Sequence, residues 1–236
     1  MNGITFQEQS DYRSLSEAAS EQLVALIRRK PDAVICLATG ATPVLTYQLL
    51  VEKITAQHVD ISKVTFVKLD EWVGLAPDNP ATCETFLQQH ILQPLGVAPD
   101  NYISFGSDNA DEQECARIVK LIDQRGGLDL CVLGIGKNGH LGLNEPDEKL
   151  EPACHITHLD ERTRLHDMLK QANAPVEKGI TLGLRDILAA RAVLLLVSGE
   201  GKQWAFSEFK EGKVTTQIPA SFLWLHPQTT CLFCDM

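Results

Sequence analysis

The sequence has no apolar run approaching the roughly 20 residues needed to cross a bilayer, and its N-terminus lacks the hydrophobic segment of a secretory leader. No membrane partner is expected, and the reading is a cytoplasmic protein. Basic charge is short as well: 21 Lys and Arg stand against 31 Asp and Glu, a net charge of −10, with no basic patch in view. That argues against a nucleic-acid partner. An anionic ligand must then be held by a few local cations and backbone amides, against the overall field. Repeats, low-complexity stretches and domain-size linkers are also missing. The 236 residues are expected to form a single domain, a length at which a sizeable core can be buried. The seven cysteines lack the pair-of-pairs spacing of a zinc site. Cys36 and Cys131 fall in apolar strands and read as buried thiols. Cys231 and Cys234 form a CxxC in the closing apolar segment rather than before a helix, which does not suit redox or metal chemistry.

What is present is an ordinary globular composition, 44% apolar and 22% charged, arranged as alternating strands and helices. A helical stripe runs through Leu15, Ala18, Ala19, Leu23, Leu26 and Ile27. Apolar strands are expected at Ala33 to Ala38, Val64 to Leu69, Leu128 to Leu133, Val193 to Ser198 and Thr229 to Phe233. Helices are expected from Pro43 to about Ala56, with Thr42 as N-cap, and at Thr82 to Leu92, Asp108 to Arg125, Glu161 to Gln171, Thr181 to Ala190, Lys202 to Glu211 and Pro219 to Leu225. Beyond Pro146 the chain to Pro175 reads as largely irregular. The alternation predicts an α/β fold: a doubly wound, mostly parallel, Rossmann-like sheet with helices on both faces.

In such sheets ligands bind outside the carboxyl ends of the strands. Four strands end in polar or glycine-rich loops: Thr39 to Thr42, Asp70-Glu71, Gly134 to Glu145, and Gly199 to Lys202. If the strands are parallel, these loops share one rim. Two of them run into helix N-termini, where free N–H groups favour an anion. Thr39 and Thr42 add hydroxyls and Lys202 a cation, although GxxxxGK[ST] is absent. Asp70 is either a helix cap or salt-bridge partner or, opposite His140 and Glu145, a candidate base for abstracting a proton next to a carbonyl or imine. The glycines Gly134, Gly136 and Gly139 also satisfy GxGxxG, but no helix of useful length fits before Pro146, which disfavours a dinucleotide site. Cys154, His155 and His158 have metal-like spacing in a segment that reads as surface or structural.

ATGATP (Ala38 to Pro43), LDEWVGL (Leu69 to Leu75) and GIGKNGHLGLNEP (Gly134 to Pro146) resemble the glucosamine/galactosamine-6-phosphate isomerase (deaminase) family, in order and spacing and over nearly the whole chain. The resemblance implies aldose–ketose isomerisation of an aminohexose 6-phosphate with loss of ammonia, without organic cofactor or metal, galactosamine 6-phosphate being the favoured substrate. It implies a proton acceptor at Asp70, a ring-opening acid/base at His140 and its carboxylate partner at Glu145. It also implies a phosphate and sugar loop at Thr39, Gly40, Ala41 and Thr42, with Gly136 beside it, and a phosphate-binding lysine at Lys202. Where many members carry Asp, this chain has Asn138, whose side-chain oxygen is expected to accept the ring N–H of His140. The family's phosphate-binding arginine falls near Arg162, Arg164 or His166, with Arg164 the selected residue. His155 and Thr157 stand where longer members carry the cations of an allosteric site. A monomer or small homo-oligomer is expected. The competing readings are a glucosamine-6-phosphate deaminase giving fructose 6-phosphate and ammonia, a 6-phosphogluconolactonase-like hydrolase and a non-enzymatic sugar-phosphate-binding regulator.

Overall fold

Short strands that are apolar on both faces pack best in a parallel sheet covered by helices, and the central strands of this chain are of that kind. The computed structural model describes residues 3–108 and 110–234. β1 (Thr5–Glu8) leads into α1 (Tyr12–Arg29), β2 (Val34–Leu37) and α2 (Val44–Ala56). β3 (Thr65–Lys68) is followed almost at once by β4 (Asp70–Val73), then by α3 (Cys83–Leu87), which a π turn joins to α4 (Gln93–Leu95). Next come β5 (Tyr102–Ile103), α5 (Glu112–Gln124), β6 (Leu130–Gly134), β7 (His155–His158) and α6 (Glu161–Arg164). The chain ends with β8 (Lys178–Thr181), α7 (Leu184–Leu188), β9 (Val193–Val197), α8 (Gln203–Lys210) and β10 (Thr229–Phe233).

Seven strands form one sheet in the order β1-β10-β9-β6-β2-β3-β5, and every neighbouring pair is parallel. Alternate side chains of each strand enter two separate cores. Val34, Cys36, Cys131, Leu133, Val193 and Leu195 pack on one face with α5, α7 and α8. Ile35, Leu37, Leu130, Val132, Leu194 and Leu196 pack on the other with α1 and α2. Asp11, Thr82 and Asp111 start α1, α3 and α5 by accepting backbone N–H bonds with their side chains. After β2 the chain moves outward to β3 and β5, then returns to place β6 on the other side of β2. The switch point therefore lies between β2 and β6, so the Thr39–Thr42 and Gly134–Glu145 loops are neighbours there.

A second sheet was not legible in the sequence. β4, β8 and β7 pair antiparallel, with Asp70 opposite Thr181 and Thr181 opposite His155. Asp70 accordingly opens a new strand rather than trailing from the end of β3. The helix expected over Thr181 to Ala190 is corrected: Thr181 closes β8, and only Leu184–Leu188 is helical. Gly183 divides the two, because a Cβ there would lie 2.1 Å from the Ala153 carbonyl oxygen. The helix expected over Glu161 to Gln171 breaks at His166, whose Nδ1 accepts the Met168 N–H and starts a separate 3₁₀ turn, Asp167–Gln171. The helix expected from Asp108 begins at Glu112, and Asn109 lies outside the described residues. Among the described residues no helix is long and apolar enough to cross a membrane, and no group of three or more His, Cys, Asp or Glu is placed to hold a metal ion.

The reversal between β3 and β4 is held by buried charge. Lys68 is 1% exposed, and its Nζ lies 2.7 Å from Glu71 Oε2 and 2.9 Å from Glu84 Oε2. Burial alone would lower the Lys68 pKa, but the two carboxylates outweigh it and hold it above the ordinary value. Glu71 also accepts the backbone N–H groups of Trp72, Cys83 and Glu84, joining the start of α3 to the strand. Lys68→Met should therefore destabilise the protein by about 3–5 kcal/mol, the cost of leaving a buried charge without its partner. A shift of the urea midpoint with an unchanged m-value is the expected reading.

Candidate functional site

The glycine loop after β6 is shaped to carry His140. The Gly136 N–H donates to the His140 carbonyl at 3.0 Å, and a Cβ at Gly136 would lie 2.4 Å from the imidazole. Only glycine leaves room for the ring. Asn144 clamps the far side of the loop, donating from Nδ2 to the carbonyls of Leu141 and Leu182. His140 Nδ1 faces Glu145 Oε2 at 3.3 Å and Thr163 Oγ1 at 3.1 Å. With Nδ1 so occupied, Nε2 is the nitrogen left for a ligand. Burial would push the Glu145 pKa up, but His140, Thr163 and Asn138 together hold it below the usual range.

The expected role of Asn138 is corrected in its geometry. Its Oδ1 accepts the backbone N–H of His140 at 3.2 Å, not a ring N–H, and its Nδ2 donates to Glu145 Oε2 at 2.8 Å. Asn138 therefore orients the carboxylate that faces the imidazole. An aspartate in this place would set two carboxylates against each other.

Asp70 reaches the same space from β4. It is 7% exposed, and burial together with the adjacent Glu71 raises its pKa to about 7, while His140 pulls it the other way. A Cβ at Gly142 would stand 3.6 Å from Asp70 Oδ2 and 2.9 Å from Thr181 Oγ1, so the absent side chain lets the loop close on the carboxylate. An acid of this pKa can both take and return a proton near neutrality.

The anion end lies where β2 and β9 finish. Lys202 Nζ donates to Thr42 Oγ1 at 2.7 Å, and the same hydroxyl reaches the Ser198 carbonyl at 3.5 Å. Thr42 is thus not the N-cap of α2; Pro43 holds that position and Thr42 turns its hydroxyl to the lysine. Burial and the neighbouring Lys137 lower the Lys202 pKa to about 8. Tyr12 secures the loop from α1: its hydroxyl reaches the carbonyls of Ala41 and Thr42 and accepts the Leu45 N–H. Gly40 has a φ of +102° and faces the imidazole of His166, about which Trp72 also packs. Thr39 is half-buried and Ala41 exposed.

Asp70, Asn138, His140, Glu145, Gly136, Thr39, Gly40, Thr42 and Lys202 thus fall along one rim. Arg162 and Arg164 are exposed on α6. Of the three residues considered for an arginine-like role, His166 is the one against Gly40. Thr163, Lys137, Cys83, Thr181 and Tyr12 also touch this constellation without having been singled out from sequence. Thr163 had a signal in its place beside Arg162 and Arg164, whereas Tyr12 and Cys83 had none, since each arrives from a distant element.

Comparison with known proteins identifies the family and the fold. The model of the family described as glucosamine-6-phosphate isomerases/6-phosphogluconolactonase matches residues 7–233. "Putative deaminase AgaI" of Escherichia coli (strain K12) is 65% identical over 228 residues, covering 97% of this chain and 91% of that protein. The glucosamine-6-phosphate deaminase of Thermoanaerobacter pseudethanolicus (strain ATCC 33223 / 39E) is 37% identical over 225 residues, covering 94% and 89%. A solved structure described as a monomeric glucosamine-6-phosphate deaminase, a missing link of the NagB superfamily, superposes with a TM-score of 0.93 at 33% identity, covering 98% of this chain and 97% of that one. With the sequence matched almost from end to end and the fold matched with it, the chain belongs to the glucosamine-6-phosphate isomerase/6-phosphogluconolactonase family.

Proposed function

We propose that the protein converts an aminohexose 6-phosphate and water into a ketohexose 6-phosphate and ammonia, with galactosamine 6-phosphate as the preferred substrate and tagatose 6-phosphate as the product. The observation that carries this reading is Asp70, a buried acid with a pKa of about 7 facing the His140–Glu145 pair beside the Lys202–Thr42 anion pocket. In this reading the 6-phosphate binds Lys202, Thr42 and the N–H groups of the Thr39–Thr42 loop. Arg164 is exposed on α6, so His166, packed against Gly40, is the residue of that segment that faces the set. His140, through Nε2, passes a proton between O1 and the ring oxygen and opens the pyranose. Asp70 then takes the C2 proton, forming an enolamine, and returns it to C1. Water adds to the resulting imine at C2, and ammonia leaves as the ketone forms.

The galactosamine preference rests on the sequence resemblance alone; the 65% identity to "Putative deaminase AgaI" supports deamination without naming the sugar. Ammonia release from galactosamine 6-phosphate and glucosamine 6-phosphate under the same conditions tests it, and faster release from the glucosamine epimer overturns the preference. Hydrolysis of a 6-phosphogluconolactone with no ammonia from either amino sugar would overturn the reaction itself. The relative described as monomeric supports a monomer for this chain.

Asp70→Asn should abolish exchange of the substrate C2 proton with solvent while phosphate-dependent affinity persists, because the base acts in the transition state. Exchange at near the wild-type rate would remove Asp70 from the role. The pH profile follows from the two shifted groups. Asp70 must be ionised to accept a proton, so kcat/KM rises with pH through about 7. Lys202 must be charged to attract phosphate, so kcat/KM falls again above about 8. The expected profile is a narrow bell, and its basic limb should vanish from kcat once phosphate is bound. Lys202→Ala should weaken 6-phosphorylated ligands by about 1.5–3 kcal/mol and leave non-phosphorylated sugars unaffected. Equal losses for both ligand types would make Lys202 structural.

A further inference from the structure

Asp70 has a second neighbour that the reaction outlined above does not use. Cys83, the first residue of α3, is 1% exposed, and its Sγ lies 3.7 Å from Asp70 Oδ1 with the thiol donating. The hydroxyl of Thr39 donates in turn to Cys83 Sγ at 3.2 Å. The Cys83 backbone N–H is fixed on Glu71 Oε1 at 2.9 Å, which holds the start of α3 beside the acid. A chain of donors therefore runs from the sugar and phosphate loop, through sulfur, to one oxygen of the proposed base. Such chains polarise each bond in them.

We propose that Cys83 is a positioning residue for Asp70: its S–H occupies Oδ1 and leaves Oδ2 as the oxygen that meets the substrate carbon. Oδ2 is also the oxygen turned towards Gly142 of the loop that carries His140. This rests on the reading of Asp70 as the base. The charged and titratable groups facing Asp70 are Glu71 beside it, His140 from the loop after β6, Lys68 from β3, Cys83 from α3, Cys36 from β2 and Tyr47 from α2, with Thr181 opposite on β8; burial keeps Cys36 and Tyr47 neutral. Burial, Glu71 and Asp70 push the thiol's own pKa well above its ordinary value, so Cys83 stays protonated and remains a donor. A donor to the ionised form favours the carboxylate, and its loss must raise the Asp70 pKa.

The test compares wild type, Cys83→Ala and Cys83→Ser by kcat as a function of pH. In Cys83→Ala the acid limb should move up by about half to one pH unit. On the acidic side kcat then falls about three- to tenfold further than on the alkaline side. Cys83→Ser, which keeps a donor, should return the limb towards its wild-type position. A limb that stays in place in Cys83→Ala, a uniform loss at every pH, or a serine variant that fails to restore the limb overturns the proposal. If Cys83→Ala does not fold, the infrared S–H stretch of Cys83, isolated as the difference between wild type and Cys83→Ser, decides. It should shift to lower frequency as Asp70 ionises and stay fixed in Asp70→Asn, and a band indifferent to pH in wild type overturns the hydrogen bond. Retained C2-proton exchange in Asp70→Asn removes the base reading and this proposal together. An unmoved limb alongside an inactive Asp70→Asn removes the thiol's role alone.

Discussion

The interaction on which the site depends is the buried contact between Lys68 and Glu71. Two residues before and one after Asp70, they turn the chain from the parallel sheet into the antiparallel one within a single residue, Leu69. Glu71 does three things at once: it neutralises Lys68, accepts the N–H groups at the start of α3 and places a negative charge beside Asp70. Fold and chemistry are not separable here. The carboxylate that fixes the strand reversal is also the one that helps keep the neighbouring acid near neutrality, where it can exchange protons.

The two ends of the site use burial in opposite ways. At Asp70 it disfavours the anion, and at Lys202 it disfavours the cation. Between them the His140–Glu145–Asn138 group is kept in order by hydrogen bonds rather than by a full complement of charge. Asn138 supplies the amide that both spaces the loop backbone and holds Glu145. In a protein with a net charge of −10, the proposed anion pocket thus rests on one half-buried lysine and a threonine, with Lys137 and His166 nearby.

The parallel sheet and its rim were legible because their signals are local. Runs such as VICL and LCVLG are apolar on both faces, and the glycines and polar groups at their ends mark the carboxyl edge. The antiparallel sheet was not, because DEWV, HITH and KGIT are short and polar, and its central strand KGIT pairs with DEWV from about a hundred positions away. Thr42 followed by Pro43 has the signature of a helix cap, and only the arrival of Lys202 from the other half of the sheet redirects its hydroxyl. A strand lysine at position 68 gives no sign of being buried until Glu71 and Glu84 are placed around it. Asn138 was found by its position in the loop, but which of its atoms meets which partner depends on backbone angles that no residue pattern specifies.

At the edge of the parallel sheet, β1 pairs with β10, so that Thr5 lies beside Thr230. β1 is therefore without its partner while all the strands between it and β10 are being made. Contacts of such separation form late, after the intervening loop entropy has been overcome by other contacts. An unpaired apolar strand would spend that interval as an invitation to aggregate. β1 is instead the polar sequence TFQE, with three of its four residues exposed even in the folded protein. Its weakness as a strand is what makes it safe to leave waiting, and its docking beside β10 completes that edge of the sheet.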